Sequence, residues 1–342
     1  MTPSAWNDFL VAARGGAPRR VPTALIVDSP WMPGFLGMNT LDFFLYPDAF
    51  LDGYLKIEQR FPDVVFIPGF WVEYGMANEP SAFGVSIVWS ADSPPAMRPL
   101  ELAVQDWGKL ERRNPETDGL MPLVLRRLER LERGGLPEPH RIRFAAARGP
   151  LAVAAHVLGV TTFLEATAAE PAAVHAALDV ITDTVTAFLR AQLARLREPV
   201  GILLLDDLPG MLSPRAFDQI ALPYLQRVFN AFDGLLRIHH NDTPCPQLLP
   251  RMHQLHCEVW NFSHEMDIGD VKRAVGPRMA LMGNVAPLGT LVRGAPAQVL
   301  GEARACIEKA ADGGGLILSA GGGLSPGTPA ENIDALVQAT LV

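Results

Sequence analysis

Val200–Asp206, with the sequence VGILLLD, is the clearest predicted strand in the chain. It is a short, almost unbroken apolar run, as expected for a parallel strand that is covered on both faces. Helical patterns fill most of the gaps between this run and others like it, and that alternation predicts a parallel sheet. The other runs are Pro22–Asp28, Val64–Phe70, Ile142–Arg148, Leu235–His240, Cys257–Phe262, Met279–Asn284 and Leu316–Ala320. Eight such strands are the number that closes a (β/α)8 TIM barrel.

The size and composition of the chain agree with that fold. Its 342 residues suit one barrel domain with insertions, which we assign to residues 1–342. Hydrophobic residues make up 49% and charged residues 19%, which favours a globular protein with a large core over a disordered one. The net charge is −8 and the sequence has no basic cluster, so we expect no nucleic-acid partner.

The cysteines and apolar runs indicate the compartment. Three scattered cysteines do not form a disulfide framework and are typical of a reducing cytosol. The first 20 residues lack the apolar core of a signal peptide. The run Leu151–Leu164 contains His156 and is too short to span a bilayer. We therefore predict a soluble cytoplasmic protein that does not associate with a membrane.

Other segments of the chain predict elements around the barrel. Residues 1–20 should form an N-terminal helix or arm. The long gap between predicted strands two and three holds Val85–Trp89 and the proline-rich run Ser93–Pro99, which predict an insertion above the barrel with a short strand or hairpin.

Two helix starts can also be predicted. Ser213 before Pro214 predicts an N-capped helix. Thr328 followed three residues later by Glu331 predicts a capping box at the start of the last helix, Pro329–Leu341.

Polar residues follow nearly every predicted strand, at the end where barrels place their catalytic groups. We expect a small-molecule substrate at this rim. The candidates for catalysis are Glu73, Arg148, Asp206, His239 and Asp242, and those for substrate binding are Asp28, Trp71, Tyr74, Asp207, Asn284, Ser319, Gly321 and Gly322. Structural alternatives remain open, since Asp206–Asp207 can cap a loop, Arg148 can pair with an acid, Asn284 can bond loop backbone, and the glycines can form a tight turn.

The run His239-His240-Asn241-Asp242 is the most informative motif. Alternate residues of a strand face the same side, so His239 pairs with Asn241 and His240 pairs with Asp242. Either pair can face the lumen. An imidazole and an oxygen ligand on one side can bind a divalent metal or relay a proton, and His264 and Glu265 can add ligands. The alternative is a hydrogen-bonded histidine pair without metal.

Several short motifs together resemble the uroporphyrinogen decarboxylase superfamily. They lie in family order from about residue 20 to the C-terminus. The motifs are Tyr74–Ala77 with Ala82–Gly84, Gly149-Pro150, Ser213-Pro214 with Phe217 and Pro223-Tyr224, Met282–Val285 with Pro287, and Ser325–Ile333. The resemblance implies a barrel that handles a tetrapyrrole-like macrocycle at its mouth, and by analogy a homodimer.

The superfamily has two well-known branches, and the chain departs from both. The decarboxylases carry an arginine-rich segment after the first strand and a histidine in the last glycine-rich loop. Here the corresponding stretches are Ser29–Gly34, without arginine, and Gly321–Gly323. The thiol-directed, corrinoid-dependent methyltransferases hold zinc with His-x-Cys after strand five and a cysteine after strand eight. On that resemblance His239 matches the histidine, while Asn241 and Gly322 stand where the cysteines belong.

The resemblance leaves three functions open. The first is a methyltransferase of the corrinoid-linked type with a non-thiol, tetrahydrofolate-like acceptor, supplied by a corrinoid-carrying partner protein and assisted by a divalent metal such as zinc. The second is a decarboxylase or lyase acting on a tetrapyrrole or another carboxylated substrate, with Arg148 holding the carboxylate. The third is a non-catalytic subunit that binds a corrinoid or tetrapyrrole.

Overall fold

The computed structural model describes residues 1–27, 30–71 and 73–341. The strands are β1 (Thr23–Ile26), β2 (Val64–Ile67), β3 (Ser86–Val88), β4 (Ala96–Arg98), β5 (Phe144–Arg148), β6 (Gly201–Leu205), β7 (Leu236–Asn241), β8 (Val259–Phe262), β9 (Ala280–Val285) and β10 (Leu316–Ala320). Within the described residues, eight of these form one parallel sheet in the order β2-β1-β10-β9-β8-β7-β6-β5. The sheet curls into a nearly closed (β/α)8 barrel, so the predicted strands and fold class are confirmed.

The strand side chains divide by parity between the lumen and the surrounding helices. On β6, Leu203 and Leu205 pack inside the barrel, whereas Ile202 and Leu204 pack against the outer layer. Successive side chains of a strand point to opposite faces, so this division extends along every strand. On β7, Ile238 belongs to the inner cluster. The side chain of His240 therefore lies on the inner face of the strand, and that of His239 lies on the outer face.

The N-terminal arm is a helix, as predicted, and it closes the bottom of the barrel. In α1 (Pro3–Ala13), the Phe9 side chain is fully buried with the inner side chains of the strands. Its ring stacks on Trp6 at 5.4 Å between centroids and meets the edge of Phe144 at 6.4 Å. The amino-terminal end of the barrel is thereby filled, which leaves the carboxyl-terminal end as the open mouth.

Helices surround the strands. They are α2 (Met32–Leu36), α3 (Thr40–Leu45), α4 (Pro47–Arg60), α5 (Asn78–Ala82), α6 (Met121–Arg130), α7 (Pro150–Leu158), α8 (Val160–Ala169), α9 (Pro171–Leu193), α10 (Pro214–Ala216), α11 (Leu222–Asn230), α12 (Leu249–Met252), α13 (Ile268–Val275), α14 (Pro296–Ala310) and α15 (Ala330–Ala339). Short 3₁₀ turns lie at Val104–Lys109, Leu208–Met211, Pro246–Leu248, His253–Leu255 and Gly276–Arg278, and π turns at Leu131–Gly135, Phe217–Ala221 and Pro287–Val292.

One predicted helix cap is confirmed and the other is wrong. The Ser213 hydroxyl accepts a hydrogen bond from the Ala216 amide at 3.2 Å and so caps α10. At α15 the capping position is Pro329, because the Thr328 hydroxyl instead donates to the Ser325 carbonyl. Thr328 lies one position too early to cap that helix.

The predicted insertion contains an antiparallel hairpin beside the mouth. β3 and β4 pair with Ile87 opposite Met97. The loop between them lies over Gly75, since a Cβ added there would come within 3.0 Å of Pro94 and Pro95. The residue is glycine at a φ of +58°, a conformation that L side chains rarely adopt.

The sheet ladder has a seam between β2 and β5, and side chains from outside the sheet cover the exposed edge of β5. Gln192 of α9 accepts from the Ala146 amide at 3.2 Å and donates to its carbonyl at 2.9 Å. Glu79 of α5 accepts from the Arg148 amide at 3.0 Å. Buried backbone groups need hydrogen-bond partners, and these side chains supply the bonds that a neighbouring strand would otherwise make.

Helix α9 is the described helix that is long and apolar enough to cross a bilayer by length and composition. Half of its most apolar window is buried inside the protein, and it packs on β5, α7 and α11. The buried side chains that run along it include Val174, Leu178, Ile181, Val185 and Phe188. That packing is typical of a core helix.

Candidate active site

A cavity of about 250 Å³ occupies the mouth of the barrel. Asp207, His240 and Asp242 form a polar wall, and Arg148 lies in the same cavity. The remaining lining is largely apolar, from Ile26, Met76, Leu205, Leu324 and the prolines 30 and 326. A concave site with few polar groups on an apolar background is the usual form of a small-molecule site.

A larger cavity of about 520 Å³ lies on the outside of the barrel near its amino-terminal end, against the start of β7 and β8. Its lining includes Arg237 and Glu258, which already form an ion pair with each other. Chemistry in TIM barrels takes place at the carboxyl-terminal face. We therefore take the mouth cavity as the candidate active site.

Asp207, His240 and Asp242 converge in the mouth. Each offers one ligand atom, and these atoms lie within 4.8 Å of one another, the one such group of at least three metal-ligating side chains found in the described chain. His240 Nε2 is 3.7 Å from Asp207 Oδ1, and the Asp242 amide donates to the same carboxylate at 3.0 Å. Desolvation in the mouth and the adjacent Asp207 charge raise the pKa of Asp242. Two neighbouring carboxylates and an imidazole can together bind a divalent cation, in place of the proton that the two carboxylates would otherwise share.

The loop geometry leaves room for this cluster. Gly322 has a φ of +133°, and a Cβ added there would lie 3.0 Å from Asp242 Oδ2. A Cβ added at Gly321 would lie 2.5 Å from the His264 amide nitrogen. Both predicted glycines therefore serve close approach of the last loop to the site, and Gly322 faces the Asp242 carboxylate directly.

The structure corrects the choice between the neighbouring histidines. His239 is fully buried on the outer side of the barrel wall, with its ring edge-on to Phe229 of α11 at 5.9 Å. Burial, with the nearby His240, lowers its pKa to about 3. Asn241 shares that outer face, and its Oδ1 accepts from the Thr243 amide. The predicted catalytic and metal roles of His239, and the ligand role of Asn241, do not fit these positions.

Asp206 also lies away from the mouth. It is fully buried, and its carboxylate accepts from the amides of Leu151 and Ala152 at 3.0 and 2.9 Å. It therefore caps the start of α7, a helix that precedes it in the chain, instead of the loop that follows it. Burial raises the pKa of Asp206, while the helix amides oppose the shift. Gly149 is essential to this contact, because a Cβ there would lie 2.2 Å from the carboxylate.

Arg148 reaches the mouth but is held by protein groups. Its guanidinium donates to Glu73 at 2.9 Å and to the Gly75 carbonyl at 3.1 Å, and it lies 5.0 Å above the Trp71 ring. Both Arg148 and Glu73 are almost fully buried. The structure thus brings three predicted site residues together as one buried unit beside the cavity, at the seam of the barrel.

The remaining predicted residues divide between the wall of the site and the surrounding scaffold. Ser319 is fully buried on the inner face of β10. Tyr74 packs between Phe44 and Trp89, beyond the cavity wall, and burial raises its pKa. Asn284 donates to the carbonyls of Ser263 and Met266 at 3.1 and 2.7 Å, so it bonds loop backbone. Asp28 lies outside the described residues, and His264 and Glu265 are exposed and lie outside the cluster.

Sequence reasoning did not assign a role to Asn261, which directly contacts the cluster. Its Oδ1 lies 2.7 Å from His240 Nδ1, and the residue is fully buried on the inner face of β8. The available signal was an amide inside an apolar strand, VWNF at Val259–Phe262, where a buried polar group needs partners.

Comparisons with known proteins agree with the barrel fold. Residues 35–341 match the sequence profile of the family described as uroporphyrinogen decarboxylase (URO-D). The uroporphyrinogen decarboxylase of Salmonella dublin is 27% identical over 277 residues, covering 76% of this chain and 74% of the relative. That of Pseudoalteromonas translucida is 25% identical over the same length and coverage. A methyltransferase from Methanosarcina mazei has the same fold, with a TM-score of 0.82, 20% identity and 98% coverage of both chains.

Proposed function

The chain belongs to the uroporphyrinogen decarboxylase family; its sequence relatives are named uroporphyrinogen decarboxylases, and a methyltransferase shares its fold. We propose that it is a metal-assisted methyltransferase whose acceptor is not a simple thiol. The observation that carries the proposal is the convergence of Asp207, His240 and Asp242 in the mouth.

The donor set fits a divalent metal. One imidazole nitrogen and two carboxylates suit zinc or a harder ion such as manganese, whereas thiolates suit soft metals. The His-x-Cys motif of the thiol-directed methyltransferases then corresponds to His240-Asn241-Asp242, one residue later than the sequence resemblance indicated, because only His240 and Asp242 face the mouth. Asp242 takes the place of the thiolate, and Gly322 lies opposite it.

The chemistry that the site can support follows from having a carboxylate where the thiol-directed enzymes have a thiolate. When bound, a divalent metal would act as a Lewis acid on a nitrogen or oxygen acceptor in the mouth. Without thiolate ligands, the site loses the electron-rich metal that activates a thiol. The protein's own groups hold the acceptor against the apolar wall of Leu205 and Leu324. The carboxylate oxygen of Asp207 or Asp242 that does not coordinate the metal can take its proton, the general acid–base role that typically contributes ~10²–10⁴-fold.

The methyl donor in this proposal is a corrinoid on a partner protein, and the acceptor is a tetrahydrofolate-like amine. The open barrel mouth leaves room for the rest of such an acceptor outside, and the acidic polar wall supports a reacting end that is neutral or cationic. We also place the reaction in the cytoplasm, which agrees with the three free cysteines of the chain.

Decarboxylation is the second candidate, and the sequence relatives favour it, since they are named uroporphyrinogen decarboxylases. Arg148 would then bind the substrate carboxylate. Two features of the mouth weigh against it. Glu73 already engages the Arg148 guanidinium, and Asp207 and Asp242 would repel a substrate that carries many carboxylates.

The test begins with the metal content of the purified protein, measured by inductively coupled plasma mass spectrometry. Methyl transfer from methylcobalamin to amine and folate acceptors is then assayed with the metal-loaded protein. We expect one divalent metal per chain and transfer that a chelator abolishes. Loss of carbon dioxide from a carboxylated substrate by metal-free protein, with no methyl transfer, would overturn the proposal.

A further inference from the structure

Asn261 occupies a central place in the wall of the barrel. From β8, its Nδ2 donates to the Met282 carbonyl of β9 at 2.8 Å and to the Ala320 carbonyl of β10 at 3.1 Å. Its Oδ1 lies 2.7 Å from His240 Nδ1 on β7. A single buried side chain thus links the strands that carry the site.

These contacts determine the orientation of the amide. Backbone carbonyl oxygens only accept hydrogen bonds, so the amide nitrogen of Asn261 must face Met282 and Ala320. If the amide were flipped, its oxygen would face both carbonyl oxygens without a hydrogen between them. The carboxamide oxygen therefore faces His240, and its orientation follows from the network.

The orientation of the amide in turn determines the proton on the imidazole. Oδ1 of Asn261 can only accept, so His240 Nδ1 must carry the proton. In the neutral ring, Nε2 then has a free lone pair, and it points toward Asp207 Oδ1 at 3.7 Å in the mouth.

We propose that Asn261 is the positioning residue of the site, which holds His240 as the Nδ1–H tautomer and presents Nε2 to the mouth. Metal-binding histidines are commonly oriented by such a hydrogen bond to the other ring nitrogen. The tautomer is a property of the chain itself. Only the effect on metal affinity rests on the proposed function.

The experiment uses metal-free full-length protein labelled with ¹⁵N in its histidines and measured at pH 8.5. Two-bond ¹H–¹⁵N correlations distinguish the two tautomers, and a His240→Gln variant assigns the resonance among the eight histidines. We expect His240 in the wild-type protein to be Nδ1–H. A wild-type Nε2–H ring would overturn the proposal, whether or not any variant folds.

Variants then test whether Asn261 is the cause. Asn261→Leu removes the acceptor, and we expect the single Nδ1–H state to be lost. Asn261→Asp keeps an acceptor, and we expect it to retain the Nδ1–H state. An Asn261→Leu protein that keeps a pure Nδ1–H ring would contradict the assignment.

Asn332 provides a matched control away from the mouth. It is also a buried asparagine, and its Nδ2 donates to the carbonyls of Leu291 and Gly294 at 2.9 and 2.8 Å. Asn332→Leu removes the same number of donors from backbone carbonyls, so it should cost similar stability. It should leave the His240 tautomer unchanged, and a change there would show that loss of stability, not Asn261, sets the tautomer.

Calorimetric titration with Zn²⁺ gives the second readout. We expect Asn261→Leu to weaken binding by ~10–100-fold relative to wild type, and Asn332→Leu to bind as wild type does. A protein with the expected tautomer that binds no Zn²⁺ or other divalent metal would support the positioning role and overturn the proposed metal-assisted function.

Discussion

Asp206-Asp207 and His239-His240 are adjacent pairs at the ends of neighbouring strands, and within each pair the roles differ. Asp206 and His239 face the helices, where one caps α7 and the other packs on Phe229. Asp207 and His240 line the mouth. Residue type is the same on both sides of the barrel wall. The face of the strand therefore decides whether a polar residue supports the fold or the site.

The largest expected effect is a loss of Zn²⁺ affinity when a residue on the inner face is changed. Asp242→Ala removes one of the converging ligand atoms, so Zn²⁺ affinity measured by calorimetry should fall by at least ~100-fold, more than for a residue that only orients a ligand. Glu265→Ala is the control, because Glu265 is an exposed carboxylate near the mouth but outside the cluster. Equal losses from both variants would mean that the cluster is not the metal site.

The next effect concerns the outer face and depends on pH. The pKa of His239 is about 3 in the folded protein and ~6.5 in the unfolded chain. Below pH 6.5 the unfolded chain binds a proton that the folded protein does not, so stability falls as pH falls toward 3. From pH 7.5 to 5 this contribution is on the order of 2 kcal/mol.

His239→Leu should remove that pH-dependent term and leave Zn²⁺ binding intact. The measurement is urea unfolding of metal-free wild-type and variant proteins at both pH values, and the difference between the proteins isolates the His239 contribution. If the variant lost metal binding while remaining folded, the assignment of His239 to the outer layer would be wrong.

A smaller loss of stability is expected at Asp206, the other residue that faces the helices. Asp206→Ala leaves the Leu151 and Ala152 amides at the start of α7 without their acceptor, and loss of such a cap costs about 1–2 kcal/mol. Asp206→Asn keeps one acceptor and should lose less. Urea unfolding gives both values, and Zn²⁺ affinity should not change. A large fall in affinity with normal stability would instead place Asp206 in the site.

The smallest effect is expected at Arg148. Arg148→Lys keeps the charge beside Glu73 but loses the planar fork that also reaches the Gly75 carbonyl, which we expect to cost about 1 kcal/mol of stability. Methyl transfer should persist. If the variant instead lost a decarboxylation activity completely while staying folded, the carboxylate-binding role of Arg148 would be favoured.

The sequence predicts the barrel well because each strand is a buried apolar run such as VGILLLD at Val200–Asp206, and burial on both faces leaves a clear signal. It also predicts that the run His239–Asp242 splits into two alternate pairs. It does not tell which pair faces inward, because both contain a histidine and an oxygen ligand. Which pair faces inward is determined by the preceding residue Ile238, whose side chain packs into the lumen. The role of Asn261 depends on contacts with three other strands, which no local pattern encodes.

The seam between β2 and β5 has a consequence for how this mouth can change. A fully hydrogen-bonded cylinder has a circumference fixed by its strand number and stagger. Here the backbone at the edge of β5 is instead hydrogen-bonded to the side chains of Gln192 and Glu79, which single substitutions can remove. Substitutions at these positions can alter the width of the aperture while the rest of the ladder stays intact. The seam is therefore the part of the barrel wall where the width of the mouth can change with the fewest changes to the strand ladder.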